Sequence, residues 1–151
     1  MEIAGGELTT TVQSYHKVWL PARDIVKEAL KGRKEVHSSG EILLLTQFCP
    51  WTEHLLMLEV EEGVKGLLKY VVYPDKGGTW RVQAVPVSNG SFINRLPLPE
   101  PWRGLRGEEL SRECKIENCV FVHASGFIGG NTTKEGTLEM AIKALDFKKT
   151  E

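Results

Sequence analysis

The sequence predicts an α+β fold, a mixed sheet of about four strands with helices packed on it. Three observations carry that expectation. A β-rich hairpin occupies the middle of the chain, two short apolar runs of strand length flank it, and amphipathic helical stripes stand near both ends. At 151 residues the chain suits one domain. That length buries a sizeable core without disulfides or a structural metal.

From Leu8 to about Leu30, the residues Val12, Tyr15, Trp19, Ala22, Val26, Ala29 and Leu30 recur at spacings of three and four, the apolar stripe of a helix. Pro21 lacks an N–H and crowds the preceding turn. A break is expected near Trp19–Leu20, with Pro21 opening the second half and Lys31-Gly32 closing it. Residues 1–32 therefore read as a helical lead-in and residues 33–151 as the domain proper. Glu41–Gln47 (EILLLTQ) reads as a short strand. Pro50 suits the first turn of a helix reaching about Val60, with Trp51, Leu55 and Leu58 on one face.

Leu67–Tyr73 and Thr79–Val85 are the arms of the hairpin, joined by the turn-forming Pro74-Asp75-Lys76-Gly77-Gly78. After Pro86, the stretch Val87–Glu109 holds Pro97, Pro99 and Pro101, which forbid a central strand or a long helix. Ordered loops of that length are often functional. A short helix fits Gly107–Cys114, an apolar strand Cys119–Ala124, and a Gly-rich turn Ser125–Asn131. The last helix spans Thr133–Phe147, with Leu138, Ala141, Ile142 and Leu145 on one face.

Composition narrows the function classes. Hydrophobic residues make up 41% and charged residues 26%, with a formal net charge of −1. No global basic field draws nucleic acid, so any such contact needs a local patch. No uncharged stretch approaches the ~18 apolar residues of a membrane span. The three cysteines, with no basic and apolar leader in MEIAGGELTTTV, point to a reducing, intracellular location. Cys114 and Cys119 have no partners at zinc spacing, and no run of Asp and His resembles a two-metal hydrolase centre. No metal site and no catalytic residue is expected in this chain.

Two segments carry candidate chemistry. In His123-Ala124-Ser125-Gly126-Phe127-Ile128-Gly129-Gly130-Asn131-Thr132-Thr133, a strand runs through glycines into a helix. Free N–H groups of a helix's first turn, with its dipole, attract an anion. His123, Ser125, Gly126, Gly129, Gly130, Asn131 and Thr132 are accordingly the candidate phosphate ligands. A tight turn with Asn131 or Thr132 as helix cap is the plainer alternative. The second segment holds Arg95, Arg103 and Arg106 around Trp102. Guanidinium groups bind phosphate bidentately and an indole stacks on a base, unless the arginines pair with Glu100, Glu108 and Glu109 in a solvated loop. His54 and Cys49 read as structural.

The stretches CPWTEHLLMLE, YVVYPDKGGTWRVQAVP, SFINRLPLPEPWRGLRGEEL and CVFVHASGFIGGNTTKEG resemble the C-terminal domain of the melanocyte-proliferating-gene family. WLPARDIVKEAL resembles the helix leading into it. The resemblance runs from about Tyr15 to Leu145. It implies membership of the DHH superfamily of phosphoesterases, whose eukaryotic members of this kind are regarded as 3′–5′ RNA exonucleases. It also implies that a divalent metal, manganese or magnesium, sits on an N-terminal domain carrying Asp and His motifs absent here. The present domain would then close over substrate, with Gly129-Gly130-Asn131 near its phosphate. Asn131 stands where related proteins often carry His, and an amide cannot act as an acid.

The partners so implied are an RNA or nucleotide substrate and a metal-binding catalytic domain, in cis or in trans. A homo-oligomer stays open, and no membrane is expected. The alternatives are a stand-alone RNA- or nucleotide-binding module and a non-catalytic protein-interaction domain.

Overall fold

A computed structural model describes the backbone of residues 21–150 and the side chains of residues 22–147. The first half of the expected N-terminal helix lies outside the described residues. The elements run α1 (Pro21–Lys31), α2 (Arg33–Val36), β1 (Ile42–Leu44), α3 (Thr52–Glu61), β2 (Tyr70–Pro74), β3 (Trp80–Ala84), a 3-10 turn (Glu100–Trp102), α4 (Gly107–Cys114), β4 (Cys119–Val122), β5 (Ile128–Asn131) and α5 (Lys134–Thr150). Pro21 opens α1, where its missing N–H would be unpaired anyway.

The strands form one mixed sheet in the order β1-β2-β3-β5-β4. β1 pairs with β2 in parallel, Leu43 opposite Val71. All other pairs are antiparallel: Val72 faces Val82, Arg81 faces Gly130, and Val122 faces Gly129. The sheet thus has five strands against the four or so expected. The extra one is β5, which falls inside the expected Gly-rich turn. Two glycines and an asparagine depress strand propensity, yet β5 is an interior strand held on both edges.

A core lies on each side of the sheet. On one face, α1 and α3 cover β1 and β2, burying Val26, Leu30, Leu43, Leu55, Leu58 and Val71. On the other, α4 and α5 bury Tyr70, Val72, Val82, Leu110, Val122, Met140 and Ala144. Both faces of β2 are therefore covered, and its run Tyr70–Tyr73 is buried throughout. In β3 burial alternates: Val82 and Ala84 are buried while Arg81 and Gln83 are half-exposed. Alternation of this kind marks a strand with one wet face.

β4 carries an irregularity between Cys119 and Phe121. The extra residue, Val120, puts Cys119 on the buried face with Val122, three residues away, where strict alternation would place it opposite.

Candidate functional site

The segment Ala124–Asn131 departs from the expected local structure. The turn is short, closed by Gly126 N–H donating to the His123 carbonyl at 2.9 Å, and His123 N–H donates to the Ile128 carbonyl at 2.9 Å. Gly126 holds φ +79°, where a side chain is strained. Gly129 and Gly130 sit in β5, between β3 and β4, so their backbone faces ladder partners on both edges.

The helix N-terminus beyond them is capped by the chain itself. Asn131 Oδ1 accepts the Thr133 N–H at 3.0 Å, and Thr133 Oγ1 accepts the Gly136 N–H at 2.9 Å. Thr132 is exposed, but its N–H donates to the Asn118 carbonyl at 3.0 Å. An anion at this helix start would compete with bonds already made. The expectation of outward amides at Gly129–Thr132 is corrected accordingly, and the cap of α5 is Thr133, supported by Asn131, rather than Asn131 or Thr132 itself.

Asn131 is fully buried, and its Nδ2 donates to the Glu117 carbonyl at 2.8 Å. A Cβ on Gly136 would collide with its side chain, so a glycine at 136 makes room for Asn131. In this arrangement Asn131 ties β5, the α4–β4 connection and α5 together.

The three arginines of the Pro-rich segment separate. Arg95 forms a bidentate pair with Glu59 at 2.7 and 2.8 Å and also donates to the Leu68 carbonyl. Glu59 is fully buried, so Arg95 serves that carboxylate rather than standing in a solvated loop. Arg106 is exposed and precedes α4, its backbone bridged to Phe121. Arg103 reaches the β4–β5 turn. Its Nε donates to the Leu98 carbonyl at 2.9 Å, and Leu98 N–H donates to the Gly126 carbonyl at 2.8 Å. His123, Ser125, Gly126 and Arg103 thus meet at one end of the sheet. His123 Nδ1 accepts the Ser125 N–H at 3.1 Å and lies 3.0 Å from its hydroxyl, with both residues exposed. Arg103 also lines a cleft of about 290 Å³ with Pro97, Glu100 and Phe147.

Arg81 is a cation that the sequence reading passed over. It projects from β3 over Gly130, where an added Cβ would lie 2.6 Å from its Nη1. Its guanidinium stands 5.1 Å from the Phe121 ring centroid, in cation–π geometry. It donates to Thr79 Oγ1 at 3.1 Å and pairs with Asp75 at 3.4 Å. The signal available in WRVQA was its alternation, which places Arg81 and Gln83 on the side opposite Val82. Gly126 repeats the device, for an added Cβ there would lie 2.6 Å from Arg103 Nε. Along one segment, then, two glycines each admit an arginine laid against bare backbone.

Elsewhere, burial pushes the Cys49 thiol up from its ordinary value, and His54 is half-buried in α3. No group of three or more His, Cys, Asp or Glu side chains among the described residues is placed to hold a metal ion. The described donor set therefore does not fit a divalent metal. No described helix is long and apolar enough to cross a membrane.

Fold and site together define an α+β domain whose mixed five-stranded sheet carries a glycine-rich strand flanked by two packed arginines. Residues 1–145 match a family model described as "Uncharacterised protein family (UPF0160)", with the short name MYG1_exonuc, and the chain belongs to that family. It is 55% identical to the MYG1 protein of Dictyostelium discoideum over 146 residues, 97% of this chain and 44% of that protein. It is 51% identical to the MYG1 exonuclease of Mus musculus, covering 96% of this chain and 38% of that protein. Against the MYG1 exonuclease of Homo sapiens identity is 49%, over 96% and 39% respectively. The chain thus spans less than half the length of these relatives. No solved structure matches it.

Proposed function

We propose that this chain is the substrate-binding part of a metal-dependent phosphoesterase, a 3′–5′ exoribonuclease of the DHH superfamily. It would hold RNA or nucleotide phosphate while a metal-binding domain, in cis or in trans, performs hydrolysis. Relatives named as exonucleases support the nuclease reading. Their extra length leaves room for a second domain. Manganese or magnesium belongs to that domain in this proposal.

The carrying observation is the pair of arginines laid on glycine, Arg81 over Gly130 and Arg103 over Gly126. Glycine brings each guanidinium down onto the backbone, where packing limits its rotamers and its outer edge can meet a phosphate oxygen. A fixed guanidinium fork loses less entropy on binding than a freely rotating one. Charge-assisted bonds to phosphate are also about twice as strong as neutral ones. The exposed Phe127 flanks the segment and offers a ring to a base. His123 and Ser125 are hydrogen-bonding groups at the turn and complete the proposed phosphate contacts. Arg106 adds long-range charge.

Titration of a short fluorescent RNA at low salt tests this. Arg81→Gln and Arg103→Gln should each weaken binding about tenfold, the scale of one charge-assisted contact. Each should also flatten the salt dependence by about one unit of slope. Unchanged affinity in both variants would remove the physical basis of the site.

A second reading, docking of a protein partner, draws on one observation. Phe92 is 99% exposed and Ile93 68% exposed at the tip of the loop beyond Val87. Phe92→Ser with Ile93→Ser would abolish a complex formed through this tip and leave RNA affinity unchanged.

A further inference from the structure

The connection between α4 and β4 brings two of the chain's three thiols together. Cys114 ends α4 and Cys119 begins β4, both buried, with their Sγ atoms 3.4 Å apart. A disulfide bond is about 2.05 Å long, so a closure of little more than one ångström separates the dithiol from the bond. Four residues intervene, and the first and last of them, Lys115 and Asn118, hold φ +61° and +67°. Left-handed backbone at two non-glycine residues costs energy and folds the connection back on itself, so that the thiols face each other.

The surrounding bonds hold this geometry. Lys143 Nζ donates to the Cys114 and Lys115 carbonyls at 3.2 and 3.1 Å. Cys119 N–H donates to Ser111 Oγ at 3.1 Å. The third cysteine, Cys49, belongs to the core on the opposite side of the sheet, its thiol beside the Ala22 carbonyl.

We propose that Cys114 and Cys119 are a covalent modification site, a dithiol that closes reversibly to a disulfide by exchange with a low-molecular-weight disulfide such as oxidised glutathione. The two sulfurs have different parts. Either thiol can be the donor in the Sγ–Sγ contact, and Cys119 Sγ also lies 3.3 Å from the Ile116 carbonyl. The Cys119 thiol is lowered from its ordinary value by the Cys114 contact first, against opposing burial, with help from Ser111 and Asn131. The same interaction pushes the Cys114 thiol up.

Cys119 thiolate attacks one sulfur of the glutathione disulfide, forming a mixed disulfide and expelling one glutathione thiolate. Cys114 then gives up its proton and attacks Cys119 Sγ, expelling the second glutathione. Overall the two protein thiols lose two protons and two electrons, and the glutathione disulfide takes them up to become two thiols. A cleft of about 370 Å³ lined by Ser111, Arg112, Lys115 and Ile116 opens beside the connection, and the reagent would approach the buried pair from this side. Cys119 is opposite Asn131 in the ladder, so the bond forms one residue from Gly130.

The test equilibrates the folded protein in glutathione buffers of rising oxidised fraction, then traps free thiols with an alkylating reagent in acid denaturant and maps peptides by mass. The expected result is joint loss of Cys114 and Cys119 as one crosslinked peptide, with Cys49 still alkylated and full recovery in dithiothreitol. Three alkylated cysteines at the most oxidising poise, in a buffer that crosslinks the same chain when unfolded in urea, would overturn the proposal. So would a crosslink that involves Cys49. A folded Cys114→Ser variant should accumulate glutathione on Cys119, and absence of that adduct would overturn the assignment of Cys119 as the attacking sulfur.

Discussion

The sheet has two unlike halves. Across β1 and β2 both faces are covered, by α1 and α3 on one side and α5 on the other. Across β3, β5 and β4 the helices α4 and α5 pack on one face, and the opposite face presents Arg81, Gln83, Phe121 and Ile128 half-exposed. The covered half is written in unbroken apolar runs, Ile42–Leu44 and Tyr70–Tyr73, and its charged pair, Glu59 with Arg95, is sealed inside. The open half is written in alternation and glycine, and its cation Arg81 is packed but reachable, the side chain being 22% exposed. Cover on both faces spends side chains on stability, whereas a bare face leaves backbone and cations to meet something else.

The contrast breaks most readily at Glu59. Glu59→Ala strands the Arg95 guanidinium in the interior, and an uncompensated buried charge costs about 3–5 kcal/mol. Urea denaturation should show that loss, and Glu59→Leu with Arg95→Met should restore most of it. Leu55→Ala, fully buried in the covered half, should cost about 3 kcal/mol through the cavity it leaves.

The open half should respond in the other currency. Gly130→Ala places a methyl 2.6 Å from Arg81 Nη1 and 3.0 Å from the Trp80 carbonyl. The arginine tip swings away, so affinity for a short RNA should fall about tenfold while stability changes by about 1 kcal/mol.

Tyr70 sharpens the comparison through pH. Burial pushes its phenol well above the ordinary value, with Arg103 opposing and Glu41 adding to the rise. A raised folded-state pKa contributes stability that is fully present below the unfolded value near pH 10 and is lost as pH climbs beyond it. Alkaline unfolding should therefore begin above about pH 10, and Tyr70→Phe should move its onset higher. A smaller effect belongs to Gln83→Thr, which removes the acceptor of the Tyr73 hydroxyl at 2.8 Å and should cost about 1 kcal/mol in the same denaturation assay.

What could be read from the chain without coordinates followed the range of the forces involved. The hairpin, α4 at Gly107–Cys114 and the α5 stripe rest on local turn chemistry and periodicity, and each stands within a few residues of its expected bounds. β5 was not legible, because its glycines exist for atoms distant in sequence. A Cβ on Gly129 would crowd the Phe121 carbonyl at 3.0 Å and Leu98 Cδ1 at 3.2 Å. The commitment of Arg95 was hidden for the same reason, since its partner lies 36 residues away in α3. His123, Ser125 and Gly126 were adjacent by sequence, and Arg103 joined them through the Leu98 carbonyl, a contact no spacing rule supplies. Arg81 was visible only as one polar residue in an alternating strand.

The single surplus residue in β4 has a reach beyond its own strand. In a regular ladder that kept Val120 the parity of the strand would be unbroken, and a sulfur now turned inward would look out on the bare side. The fold would then lose the meeting of Cys119 with Cys114 and Asn131, and with it the link between two distant helix ends. Deleting Val120 would restore the regular ladder with Cys119 two residues from Val122 and still inward, so the bulge is what lets a strand one residue too long keep its sulfur in the interior.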